Sequence, residues 1–114
     1  MTREVHNKLI RDKIPEIMTA HKVKFKVSKL NGKQFSKALK NKLLEETIEL
    51  KDAKTKDELL NELADVLEVF EAILKDDKIS IKDVVKKQKK KRVERGGFDK
   101  KLFLKYIDKE EKKK

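Results

Sequence analysis

Between Lys33 and Lys75 the chain carries two helix-length apolar patterns joined by one short polar break, and this pairing constrains the fold more than any other feature. In the first, Phe35, Leu39, Leu43, Ile48 and Leu50 fall near one side of a helix spanning about Lys33 to Lys54, with no Gly or Pro inside it. Thr55-Lys56-Asp57-Glu58 then has the spacing of a capping box and restarts the helix. The second pattern runs through Leu59, Leu63, Val66, Leu67, Phe70, Ile73 and Leu74. It is apolar around much of its circumference, as expected of the central helix of a bundle.

The flanking segments are shorter. Asp12 is placed to cap a short helix in which Pro15 sits early and Ile14, Ile17 and Met18 share a face. Val23 to Leu30 alternates apolar and polar residues and reads as a strand closed by an Asn31-Gly32 turn. Ser80-Ile81-Lys82-Asp83 resembles a third cap, and the helix it opens stops at Gly96-Gly97. Leu102 to Ile107 is short and apolar and reads as a second strand able to pair with Val23–Leu30. The expected fold is therefore mainly α, a helical bundle with a small peripheral two-stranded β element. Residues 1–108 are expected to form one domain, and residues 109–114 a charged, disordered tail. Phe98 is read as a core residue.

Composition removes several functions. There is no Cys, which excludes disulfides, thiolate nucleophiles and Cys-ligated metal, and two histidines are too few for a histidine-rich site. No apolar run approaches the ~20 residues needed to span a bilayer. The N-terminal residues lack an apolar signal core, which points to a cytoplasmic protein without membrane association.

Charge is the second informative feature. The net charge is +11, yet Leu43 to Asp77 holds 12 acids against four lysines. Glu46 and Glu49 are three residues apart, as are Glu62 and Asp65, so each pair shares one face of its own helix. Both pairs are symmetric about a turn near Thr55 and Lys56, so an antiparallel hairpin sets all four carboxylates opposite one another. Glu45 can join from the side. Carboxylates converging between helices repel unless a cation lies among them, and oxygen-only ligands at this density suit Mg²⁺ or Mn²⁺. The competing reading is a set of solvated acids on exposed faces. Leu44, Ile48, Leu63 and Val66 flank these positions and favour the seam.

Glu46-x-x-Glu49 followed by Glu62-x-x-Asp65 resembles the ExxE…ExxD signature of the MazG-like, all-α nucleoside triphosphate pyrophosphatases. Two further motifs, Asn7-Lys8-Leu9-Ile10-Arg11-Asp12-Lys13-Ile14-Pro15-Glu16-Ile17 and Lys91-Arg92-Val93-Glu94-Arg95-Gly96-Gly97-Phe98, resemble the small stand-alone, phosphoribosyl-ATP pyrophosphohydrolase-like or house-cleaning members. The resemblance spans roughly Asn7 to Leu104. It implies a bundle whose Glu46, Glu49, Glu62 and Asp65 hold Mg²⁺ (or Mn²⁺) on a triphosphate that is cut between the α and β phosphates. The products are a nucleoside monophosphate and pyrophosphate, and the role is clearance of non-standard nucleotides. Glu45 or Glu46 is the candidate for activating water. Lys8, Arg11, Lys91 and Arg95 are candidate substrate contacts; Arg95 is one of only four arginines among 32 basic residues, and guanidinium suits bidentate phosphate binding.

Two alternatives remain at this level. One is phosphoribosyl-ATP pyrophosphatase, which uses the same carboxylate logic. The other is a basic nucleic-acid-binding module on Lys86 to Arg95 and the tail, against which stands an aromatic content of 5% and no stacking platform. No specific nucleic-acid partner is expected. A homodimer or higher homo-oligomer is expected, with the helices of Lys33–Lys54 and Glu58–Lys75 at the interface.

Overall fold

A computed structural model describes residues 2–110. Four helices follow in chain order: α1 (Ile14–Ala20), α2 (Gly32–Asp52), α3 (Lys56–Asp76) and α4 (Ile81–Arg95). The chain divides into two units, Met1–Ser80 and Ile81–Lys114. The part of the expected tail at residues 111–114 lies outside the described residues.

The first unit is built on the hairpin of α2 and α3, which pack against each other. Its start is set by Asn31, whose side chain accepts from the Gln34 backbone N–H at 2.9 Å while Gln34 Oε1 accepts from the Asn31 N–H at 3.1 Å. The Asn-Gly pair read as a strand-closing turn is thus a helix cap, with Gly32 already in the first turn. Between the helices, Thr55 Oγ1 accepts from Glu58 N–H at 3.1 Å, and Glu58 Oε2 reaches back to the Lys54 N–H at 2.9 Å. These bonds satisfy donors that a helix N-terminus otherwise leaves open. Ser36 near the start of α2 donates to Asp76 at the end of α3. Ser36 and Asp76 are equidistant from Lys56, so the antiparallel register expected from the acids holds along the hairpin.

The buried apolar core among the described residues is Leu39, Val69 and Leu74, with Phe35, Leu43, Leu50, Phe70 and Ile73 half-buried around it. Much of α3 is left uncovered: Leu59, Leu60, Leu63 and Leu67 are exposed, as are Leu44 and Ile48 of α2. α1 is capped without a side chain: Lys13 occupies the N-cap position that was expected of Asp12. Leu9, Ile10, Ile14 and Met18 are half-buried.

In the second unit α4 begins directly after Ser80 and ends at Gly96, whose φ of +81° is the left-handed conformation that glycine adopts without strain.

The expected two-stranded β element is absent: no strand occurs among the described residues. Val23–Leu30 and Leu102–Ile107 carry the sequence pattern of strands without one. Alternation selects extended backbone, but a strand exists only where a second backbone completes a ladder. Phe98, read as core, is 95% exposed.

Candidate metal centre

The apolar stripe that α2 turns towards α3 runs through Phe35, Leu39, Leu43 and Leu50, and position 46 of that stripe is a glutamate. In α3 the equivalent stripe of Val66, Val69 and Ile73 begins at Glu62. Two core positions are therefore filled by carboxylates, and the hairpin register brings them together. Glu46, Glu49 and Glu62 each offer an oxygen, all within 4.8 Å of one another. Glu46 is only 7% exposed, Glu62 is half-buried and Glu49 opens to solvent.

Two carboxylate oxygens in this group, Glu46 Oε2 and Glu62 Oε2, are buried and have no hydrogen-bond partner among the described residues. Leaving such atoms unpaired is costly, and a hard cation is the partner their chemistry suits. Burial, followed by the close approach of Glu49, raises the Glu46 carboxyl above its ordinary value, with Lys42 opposing only in part. A triad of oxygen donors with two orphaned buried atoms fits a divalent cation; thiolate- or imidazole-seeking metals find no ligand of their kind here.

Cations close the flanks. Lys42, with its side chain only 17% exposed, places Nζ 3.4 Å from both Glu45 Oε1 and Glu46 Oε1. Lys8 Nζ lies 3.3 Å from the same Glu45 oxygen. Burial alone pushes the Glu45 carboxyl up, but the combined attraction of Lys42 and Lys8 reverses this and holds it below its ordinary value. Arg11 donates from Nη2 to Asp65 Oδ1 at 2.8 Å.

The sequence-derived residues thus divide. Glu46, Glu49 and Glu62 form the triad; Asp65, one turn beyond Glu62, lies outside it and is paired with Arg11. Glu45 sits beside the triad under two lysines. Lys91 and Arg95 lie on α4 in the second unit, both exposed. Lys42 was not singled out from the sequence. Its signal was its spacing of three and four residues ahead of Glu45 and Glu46, which places it on their face of the helix.

Comparison with curated proteins and with solved structures returned no match. Among known families, the MazG nucleotide pyrophosphohydrolase domain matches residues 34–97. That is more than half of the chain, and it takes in most of α2, all of α3 and α4, and every carboxylate of this centre. The chain belongs to the MazG nucleotide pyrophosphohydrolase family.

Proposed function

We propose that this protein is a metal-dependent nucleoside triphosphate pyrophosphohydrolase that clears non-standard nucleotides. The observation that supports this most is the Glu46–Glu49–Glu62 triad with its two orphaned buried oxygens, inside the region that matches the family. One water is consumed, the bridging P–O bond between the α and β phosphates breaks, and a nucleoside monophosphate and pyrophosphate leave.

Glu46, Glu49 and Glu62, with Asp65 as a fourth donor, would hold Mg²⁺ or Mn²⁺. Bound there, such an ion neutralises triphosphate charge and lowers the pKa of water. Glu45 lies outside the triad, and both lysines contact its Oε1, so Oε2 is available to accept a hydrogen bond from the attacking water and orient it. Glu46, with its raised carboxyl, is the second candidate for receiving the proton. Lys8 and Arg11 supply positive charge beside the acids, and Lys91 and Arg95 are further phosphate contacts by charge and by their place in the matched region.

A homodimer is proposed on the uncovered apolar face of α2 and α3, where Leu44, Ile48, Leu60, Leu63 and Leu67 are exposed.

Pyrophosphate release from standard and damaged triphosphates with Mg²⁺ tests the reading. Glu49→Gln and Asp65→Asn should each lower turnover by more than about a hundredfold, the upper end for loss of a ligand's supporting partner. Folded variants that turn over like the wild type would refute it.

A further inference from the structure

The N-terminal segment before α1 holds to the acidic hairpin through two cation–carboxylate contacts, Lys8 to Glu45 and Arg11 to Asp65. It lies outside the residues that match the family domain. Residues 2–10 have no helix or strand, the backbone takes a left-handed turn at Asn7 (φ 47°), and Leu9 and Ile10 are half-buried. The segment is a strap, anchored by apolar side chains and finished by two ion pairs.

These pairs fall on the two acids that stand outside the triad. In the triad Glu46 and Glu62 each keep a buried oxygen without a partner, Glu46 even with Lys42 on its other oxygen, whereas the N-terminal segment places its cations on Glu45 and Asp65 beside it. The Arg11 guanidinium on Asp65 Oδ1 competes, by its charge, with an ion that would draw on the same carboxylate.

We infer that the strap exchanges partners when substrate binds, resting on the metal-dependent reading given above. Without substrate, Arg11 occupies Asp65 and Lys8 caps Glu45. When a metal–triphosphate enters, Arg11 and Lys8 turn to phosphate oxygens, and Asp65 and Glu45 are released to the ion and to water. Phosphate is the better partner for Arg11, because it carries more charge and accepts the guanidinium fork at two oxygens. The carboxylate it leaves is 32% exposed, and ion pairs at such sites are weak enough to exchange. The strap thereby couples the two ligands: triphosphate frees Asp65 for the metal, and by reciprocity metal frees Arg11 for the triphosphate. Arg11 is accordingly a positioning residue for Asp65 and a contact for substrate in turn.

The signature is a change of opposite sign in two affinities. Mn²⁺ binding to the full chain is measured by electron paramagnetic resonance, first alone and then with α,β-methylene ATP, which cannot be cleaved at the α–β bridge. Arg11→Gln should tighten Mn²⁺ alone by about threefold, the scale of one partly exposed ion pair. The same substitution should weaken binding of the Mn²⁺–analogue complex by about tenfold, within the usual range of coupling between sites. In an Asp65→Asn background Arg11→Gln should no longer tighten Mn²⁺, because the pair is already broken. Arg11→Lys should return both affinities towards the wild type.

Equal tightening in both backgrounds would mean that only bulk charge had changed, and would overturn the exchange. Weaker Mn²⁺ binding by folded Arg11→Gln would overturn it too, since Arg11 would then be holding Asp65 ready for the ion. A wild type that binds no Mn²⁺, or binds it equally well after Glu49→Gln, would overturn the metal reading itself and the exchange with it.

Discussion

Glu45 and Glu46 are adjacent in sequence, yet their surroundings push their carboxyl groups in opposite directions. Glu46 is raised by burial and by Glu49, so its protonated form favours the metal-free fold. That stabilisation is complete below the ordinary value of 4.5 and is lost as pH rises through the raised value of the folded state. Glu45 is held low because Lys42 and Lys8 outweigh its burial, so its ion pairs stabilise the fold above the ordinary value and are lost as pH falls through the lowered one. Thermal melts in a chelator should therefore show Glu46→Gln gaining stability over the wild type at neutral pH and losing that gain in acid. Glu45→Gln should be destabilised at neutral pH and approach the wild type in acid. Identical pH dependence in the two variants would contradict this account of the site. Saturating divalent metal should abolish the advantage of Glu46→Gln. At this scale the sequence was informative because three-residue spacing fixes which carboxylates share a helical face, and the hairpin's symmetry brings the faces of α2 and α3 that carry them together. It did not separate Asp65 from the triad, because the residue that claims Asp65 lies 54 positions away, and no local pattern records such a contact.

The elements are ordered by their caps. Asn31 and Thr55 each satisfy a backbone donor at the start of a 21-residue helix, and together they fix where α2 and α3 begin and hence which acids face each other. Asn31→Ala and Thr55→Ala should each cost about 1 kcal/mol in urea denaturation. A loss near zero for both would show that packing alone sets the register. The Thr55 cap was legible because Ser/Thr-x-x-Glu ahead of an apolar run is a distinctive pattern. Asn31-Gly32 was not, because Asn-Gly serves equally as a tight turn or a helix start, and the choice rests on Gln34 closing the box. Val23–Leu30 and Leu102–Ile107 show the same limit from the other side. Alternation dictates the local backbone conformation, whereas a ladder depends on a partner that the segment's own residues do not specify.

Over the whole molecule, 46% of residues are charged and few apolar side chains are buried, so stability has to be found beyond the single hairpin. Leu60 is 68% exposed on a helix whose opposite face is packed, and a charge placed there meets only water in a monomer. Leu60→Glu with Leu63→Glu should leave a folded monomer in analytical ultracentrifugation, where the wild type should sediment as a dimer. A wild type that is monomeric at micromolar concentration would remove the dimer. No helix among the described residues is long and apolar enough to cross a membrane. The net charge of +11 will attract polyanions of many kinds, which makes salt-sensitive adhesion a poor guide to function.

Cleavage between the α and β phosphates, with a divalent ion held by the carboxylates, leaves a distinct set of products. Phosphorus NMR of a nucleoside triphosphate incubated with the protein and Mg²⁺ reads them. The expected result is equimolar nucleoside monophosphate and pyrophosphate, with no diphosphate or orthophosphate, and a reaction that stops on chelation and is not restored in Glu49→Gln by added Mg²⁺. Diphosphate and orthophosphate as products, or undiminished turnover in the chelator, would contradict it.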